Sequence, residues 1–339
     1  MRSAFTKFLT AIFLVVGVVV VTLVGAAAWW LHTPMELTLQ PGAGVIDLEV
    51  EPGTRAAQIA QDVVAGGAQT NAPLLQLWFR LSGQAKLIKA GSYEITLGTT
   101  PRSLLSMLVR GDQTLKSVTL VEGWTFAQVR AALQKEELLA PDSTGLNPEM
   151  IMEKLGRAGM HPEGRFFPDT YTYAKGASDL SVLKRAAKAM DKRLDAAWDL
   201  RAADTPLKSA ADALILASIV EKETGKPSDR AQIAGVFINR LRINMRLQTD
   251  PTVIYGLGDK FDGNLRKRDL LADTPYNTYT RGGLPPTPIA MPGKAALLAA
   301  VQPEPTRALY FVAKGDGSSA FSASLEEHNA AVNKYIRNK

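Results

Sequence analysis

The sequence predicts an α+β fold: an N-terminal transmembrane helix, a small βααβ subdomain, then a larger, mostly helical α+β domain with a C-terminal β-hairpin. Three observations predict it. The run FLTAIFLVVGVVVVTLVGAAAWWL, between Lys7 and His32, holds 24 residues without a charge. From Val45 to Leu97 the alternation and turn residues read strand, helix, helix, strand. From Thr125 to near Leu247 apolar residues recur at helical spacing, and LYFVAKGDGSSAFSAS then reads as two strands joined by Gly-Asp-Gly.

A membrane core needs about 20 helical residues to cross, so the first run is long enough to span. Arg2 and Lys7 precede it while Glu36 and Asp47 follow it, which keeps the N-terminus in the cytoplasm. The expected division is 1–7 cytoplasmic tail, 8–31 transmembrane helix, 32–44 linker, 45–112 first subdomain and 113–339 main domain. A competing reading is a signal peptide cleaved at Ala26-Ala27-Ala28. The apolar run continues past those alanines to Trp29 and Trp30, which suit a membrane interface and favour a retained anchor. On either reading everything after His32 is exported and works outside the cytoplasm, in a bacterium against the cell wall. Nucleotides are scarce there, and cell-wall glycan is the abundant large substrate.

The exported part begins with TPMELTLQPGAG, whose prolines and glycines read as linker. Val45 to Glu51 is a strand, Pro52-Gly53 a turn, and Thr54 the N-cap of a helix carrying Ile59, Val63 and Val64. A helix from Pro73 to Leu81, a strand from Ser92 to Leu97 and a helix from Pro101 to Arg110 follow. VTLVEGWTFAQVRAAL echoes VEPGTRAAQIA from 71 residues earlier, as shared local architecture and not as a duplication. Residues 116–122 read as a strand. SDLSVLKRAAKAMDKRLDAAWDL is a solvated amphipathic helix, and another helix lies near Lys294 to Val301.

Composition excludes much chemistry. With 46% hydrophobic and 21% charged residues the chain can build a core, and wholesale disorder is ruled out. The absence of cysteine removes disulfides, thiolate nucleophiles, cysteine-type zinc sites and iron-sulfur clusters. The net charge of +6 is mild and spread along the chain, so nucleic acid is not an expected partner. The three histidines, His32, His161 and His328, form no metal-ligand spacing, and neither a metal nor a cofactor is expected. The Ser181-to-Lys184 SxxK match lacks its partner motifs, and Gly315-x-Gly317 lacks the helix of a dinucleotide loop. Carboxylate chemistry remains.

Ala213 to Val220 is apolar apart from Ser218, which implies a helix buried nearly all round; Glu221 and Glu223 then enter its last turns before Gly225. A helix C-terminus disfavours a negative charge, and burial disfavours it further, so both acids are expected to hold their protons unusually tightly. A neutral carboxylic acid is what a glycosidase needs to protonate a leaving oxygen. Small neighbours, Ala217 and Ser218, leave room for a sugar beside Glu221, whereas Glu223 follows the bulkier Ile219 and Val220. The alternative is that both acids pair with Lys222, Lys226 or Arg230 at a solvated helix end. Downstream, a helix from Asp229 to Arg242 carries Ile233, Phe237 and Leu241, and Thr249 or Asp250 can cap a helix starting at Pro251. Around it lie Asn239, Gln248, Thr249, Tyr255, Tyr276, Asn277, Thr278 and Tyr279, amides, hydroxyls and aromatic faces that suit a glycan.

The ordered blocks ASIVEKET, GVFINRLRINMRLQTDPTVIYGLG, TPYNTYTRGGLPPTPIAMPG and LYFVAKGDGSSAFS, with PEGRFFPDTYTY at 162–173, resemble the endolytic murein transglycosylase, or YceG-like, family. The similarity runs from the apolar N-terminal segment to the C-terminus and is densest from Leu214 onward. It implies a single-pass inner-membrane protein with a LysM-like subdomain, matching the βααβ unit, before the catalytic domain. It further implies lytic cleavage of peptidoglycan between N-acetylmuramic acid and N-acetylglucosamine within glycan strands, terminating or trimming nascent strands, and partnership with peptidoglycan synthases. The family's catalytic glutamate falls on Glu221. In the family's EG-x-FPDTY element this chain carries two residues, Arg165 and Phe166, between Gly164 and Phe167, one more than the pattern.

On that reading Glu221 acts as general acid, then as general base toward the muramyl C6 hydroxyl, leaving a 1,6-anhydro end without consuming water. Glu163, Gln248, Asp250 and Asn277 are expected to orient substrate or tune Glu221. Two other readings stand beside it: a non-catalytic glycan-binding scaffold for wall synthesis, and a hydrolase pairing Glu221 with Glu223 or Glu163.

Overall fold

The computed structural model describes residues 2–38, 45–223 and 226–337, with side chains from Phe13 onward. The expected linker residues 39–44, the side chains of Arg2 and Lys7, and the helix-ending Gly225 lie outside the described residues. The chain divides into two compact units, one running to Lys116 and including Ala174–Gly176, the other formed by Ser117–Tyr173 and the residues from Ala177 on.

The first unit opens with helix α1 (Arg2–His32). Its stretch Phe13–His32 is 20 residues long with a mean hydropathy of 2.4 and none of it buried, which is long and apolar enough to cross a membrane. Strands β1 (Glu36–Leu37) and β2 (Ile46–Val50), helix α2 (Ala56–Ala65), strand β3 (Ala68–Gln69), helix α3 (Ala72–Leu81), strand β4 (Gly91–Ile95) and helix α4 (Pro101–Arg110) follow. β1 pairs with β3, and β2 pairs antiparallel with β4, with Leu48 opposite Tyr93. The strict alternation of IDLEV puts Ile46, Leu48 and Val50 inward, against Ile59, Val63, Leu75, Phe79 and Leu104. The expected strand-helix-helix-strand order holds for β2, α2, α3 and β4, with the unexpected two-residue β3 between the helices. Thr54 does not cap α2, because its amide closes the preceding turn onto Glu51 O at 3.1 Å and Arg55 occupies the cap position.

The second unit contains β5 (Leu115–Thr119, from its third residue), α5 (Phe126–Gln134), α6 (Pro148–Lys154), β6 (Thr170–Ala174, up to Tyr173), α7 (Asp179–Asp199), α8 (Ala210–Glu223), α9 (Arg230–Arg242), α10 (Asp250–Leu257), α11 (Lys267–Leu271), α12 (Lys294–Val301), β7 (Tyr310–Ala313), β8 (Ser319–Ser322) and α13 (Leu325–Val332). β5 pairs with β6, and β7 with β8 as the expected hairpin, Phe311 opposite Phe321. β6 is a strand that helical periodicity did not predict; its TYTYA alternation turns Tyr171 and Tyr173 inward. The expected strand over 116–122 ends at Thr119, because the chain then leaves the ladder to meet Met291.

Every residue of α8 from Ala213 to Val220 is buried, in a cluster with residues of α7, α9 and α12. Burying one such side chain contributes roughly 1.5–3 kcal/mol, so α8 is fixed from all sides and its C-terminal turn is a rigid platform. A second cluster joins Val118, Phe126, Val129, Ile151, Phe166 and Val182. The extra residue in the EG-x-FPDTY element has a packing role there: Phe166 stacks on Phe126 at 5.2 Å in this cluster, while the next residue, Phe167, packs into the cluster around α8.

Candidate active site

Glu221 and Glu223 leave the last turn of α8 toward different segments. The Glu221 side chain is only 8% exposed. Its Oε2 accepts the Gly293 amide at 2.9 Å, and Arg230 Nη2 stands 3.7 Å from Oε1. Burial raises its pKa; the Gly293 hydrogen bond opposes this, the charge of Glu122 adds to it, and Arg230 and Lys222 oppose it. Arg230 is thus the partner foreseen for a solvated helix end, but the pair is enclosed, since the Arg230 side chain is 16% exposed. Lys222 instead donates to Gly123 O at 3.3 Å.

The segment that reaches Glu221 is the strap Thr287–Gly293. Tyr276 Oη and Thr287 Oγ1 are 2.8 Å apart at its start. Ile289 N donates to Ser218 Oγ at 3.0 Å, Gly123 N to Met291 O at 2.8 Å, and Met291 N to Trp124 O at 2.7 Å. The room expected for a sugar over Ala217 and Ser218 does not exist: both are fully buried, and Ser218 is the peg on which the strap hangs. A Cβ at Gly293 would overlap the carboxyl of Glu122, an exposed side chain that would have to swing aside.

Glu163 is 4% exposed and supports the same strap from below. Its Oε1 accepts the Phe126 amide at 3.0 Å and its Oε2 the Tyr255 hydroxyl at 3.1 Å. Tyr255 meets Tyr276 edge-on at 4.9 Å, and Gly164, at φ +76°, lets Pro288 lie where a Cβ would be 2.5 Å from it. Burial pushes the Glu163 carboxyl up to about 7 against the three hydrogen bonds, from Tyr255 and the Phe126 and Gly164 amides, that favour its ionised form. Burial beside Glu163 and Tyr276 likewise raises the Tyr255 hydroxyl.

Glu223 accepts the Thr249 hydroxyl. Burial raises its pKa, with the Thr249 bond opposing and Asp250 reinforcing. Thr249 therefore does not cap α10 through its side chain; its amide donates to Thr278 Oγ1 at 3.1 Å. Tyr279 Oη donates to Asp250 Oδ1 at 2.6 Å, and burial raises that hydroxyl, with Asp250 adding to the effect. Gln248 is exposed at φ +48°, an uncommon backbone for a residue other than glycine, and presents its amide to solvent.

The structure thus joins Thr249, Asp250 and Tyr279 with Glu223, and Glu163 with Tyr255, while Gln248 stands exposed beside Thr249. Two amides of the expected sugar-binding set are turned to the protein's own backbone. Asn277 is fully buried; its Nδ2 donates to Leu270 O at 3.0 Å and Ala272 O at 2.6 Å, and its Oδ1 accepts the Tyr279 amide at 2.9 Å. Asn239 Nδ2 is committed to Thr306 O at 2.8 Å and Ala308 O at 3.1 Å. Both tie loops down through their amide nitrogens, and the half-buried Asn239 accepts Arg242 Nη1 at 3.3 Å on its Oδ1. Sequence reasoning missed Glu122, Trp124, Arg230 as a buried partner, and Gly293, although Glu122 and Trp124 stood in the echoed turn VEGW and Gly293 in the block IAMPG.

Residues 48–334 match the YceG-like family. The chain belongs to that family. This YceG-like chain is 31% identical to an endolytic murein transglycosylase of Bacillus subtilis, over 94% of its own length and 92% of the relative's. It is 26% identical to one of Streptococcus pneumoniae, over 87% of its length and 59% of that longer protein. The crystal structure of a YceG-like protein from Listeria monocytogenes superposes with a TM-score of 0.54 at 30% identity, covering 85% of this YceG-like chain and 98% of the other.

Proposed function

We propose that the chain is an endolytic murein transglycosylase that cuts the β-1,4 bond between N-acetylmuramic acid and N-acetylglucosamine within glycan strands. The observation that carries this reading is the enclosed Glu221 carboxyl at the end of an immobile apolar helix, held by Gly293 and biased toward its neutral form by burial and by Glu122. Glu221 gives its proton to the glycosidic oxygen as the bond to C1 breaks. The resulting carboxylate takes the proton of the muramyl C6 hydroxyl while O6 bonds to C1. Atoms balance without water, and the enzyme returns to its starting protonation state. The fixed acid also suits a mechanism in which the attacking group belongs to the substrate, because positioning then replaces a second protein nucleophile.

Around that step, Glu122, Trp124, Gln248 and Asp250 are the groups we assign to substrate, and Glu163 with Tyr255 to positioning the strap. Helix α1 is read as a single-pass inner-membrane anchor with its N-terminus in the cytoplasm and the rest periplasmic. The βααβ unit, bounded at 45–112, is read as a LysM-like glycan-binding subdomain ahead of a catalytic domain at 113–339. Peptidoglycan synthases in the same membrane are the matching protein partners, since they supply uncut strands.

The test is to incubate the detergent-solubilised chain with uncrosslinked glycan strands and weigh the products. Shorter strands ending in 1,6-anhydromuramic acid are expected from wild type, and uncut strands from a folded Glu221→Gln variant. New ends heavier by one water identify a hydrolase, and unaltered strand length with wild type identifies a scaffold.

A further inference from the structure

Helix α3, APLLQLWFRL, is apolar on two opposite faces. Leu75 and Phe79 are fully buried in the core of the first unit, while Leu74, Leu77 and Leu81 are 42%, 49% and 76% exposed on the other side. A helix apolar all round is normally covered all round. The exposed side of α3 forms one wall of an apolar groove of 430 Å³ whose other wall is the C-terminal part of α1, including Leu23, Ala27 and Trp30. The groove therefore continues the lipid-facing surface of the apolar helix.

We propose that α3 is a second membrane contact, lying in the headgroup–acyl boundary of the bilayer that α1 crosses. The inference rests on the anchor reading of α1. Four observations select lipid as the occupant. The groove is continuous with the span. Trp29, 71% exposed, and Trp30 lie at the end of the span, and Trp78 lines the groove with them, as aromatic residues at a membrane interface do. Arg80 is exposed in the last turn of α3, next in sequence to Leu81 and three residues after Leu77, and a cation at such a position suits lipid phosphates. Finally, α1 does not end in a tether: Trp30 packs against the unit's core, Met35 is 5% exposed within it, and Met35 N donates to Thr99 O at 2.9 Å. The span thus fixes the tilt of α3, and the first unit is held on the bilayer surface.

The chain has no cysteine, so single reporters can be placed at will. Full-length Val16→Cys and Leu77→Cys proteins, each carrying an environment-sensitive fluorophore, are reconstituted into phosphatidylethanolamine–phosphatidylglycerol vesicles. Quenching by lipids with a nitroxide near the headgroup or near the chain end is then compared. The proposal expects the Val16→Cys label to be quenched most by the deep nitroxide and the Leu77→Cys label most by the shallow one, with a blue-shifted emission. A quenched Val16→Cys label beside a water-exposed Leu77→Cys label overturns the docking and leaves the anchor standing. An unquenched Val16→Cys label overturns the anchor and the docking with it. A Leu77→Cys label shielded from aqueous iodide but untouched by either nitroxide shows that protein, such as a second copy, fills the groove, and overturns the proposal.

Discussion

The Gly293 amide lies 2.9 Å from Glu221 Oε2, so the residue that precedes α12 also fixes the acid at the end of α8. α8 and α12 share one buried cluster, which makes this hydrogen bond the outward end of a packed interface. A donor on the carboxylate favours ionisation, yet burial prevails and the net shift is upward. The bond holds Glu221 in place while burial keeps its pKa above the ordinary carboxylate value.

Gly293→Ala tests that geometry. The new methyl overlaps the Glu122 carboxyl, so either the strap or Glu122 must move. Glu122 is the exposed, flexible partner, so it is the group expected to swing away. Its charge then leaves Glu221, and the alkaline limb of cleavage should move to lower pH with thermal stability little changed. Cleavage lost at every pH would show that the strap moved instead.

The pH profile follows from the charges around Glu221. Cleavage needs its neutral form, so kcat/KM should fall as pH rises through its raised pKa. Glu122→Gln removes a like charge and should move that alkaline limb to lower pH; Arg230→Gln removes the opposing charge and should move it higher. Limbs that stay in place in both variants would assign the titration to another group.

Glu163 makes stability depend on pH. Its carboxyl titrates near 7 in the folded protein against 4.5 ordinarily, so the folded state keeps a proton that the unfolded chain releases. Its contribution is fully present below pH 4.5 and is lost as pH rises through about 7, a change on the order of 3 kcal/mol. Glu163→Gln imitates the neutral acid at all pH values. Thermal unfolding in detergent should show the two proteins alike near pH 4 and the variant more stable near pH 8; equal stability at both would place the pKa elsewhere.

Asn277→Ala separates structure from binding. It leaves the part-buried carbonyls of Leu270 and Ala272 without their donor, a loss on the order of 1 kcal/mol for each hydrogen bond. A lowered unfolding temperature with unchanged KM is expected. An unchanged temperature with a raised KM would make Asn277 a sugar ligand after all.

Much of this was legible in the residues themselves. The uncharged opening run, the alternation of IDLEV, the unbroken apolar stretch from Ala213 to Val220 and the Gly-Asp-Gly turn each carry their structure locally, because pattern alone decides which face of an element is buried. The same stretch made Glu221 and Glu223 suspect, since acids directly after a buried helix are unexpected, although a solvated helix end fitted the pattern as well. What surrounds those acids was not legible. Gly293 lies 72 residues from Glu221 and Ile289 lies 71 from Ser218, contacts that no spacing announces. Asn277 and Asn239 carry the same amide a sugar would want, and only packing assigned them to backbone carbonyls. Sequence determined which side chains were available and which helix was buried, because those depend on neighbours a few positions away. The tertiary structure decided which of them are already hydrogen-bonded and which remain open, because each hydrogen bond depends on a segment brought from far along the chain.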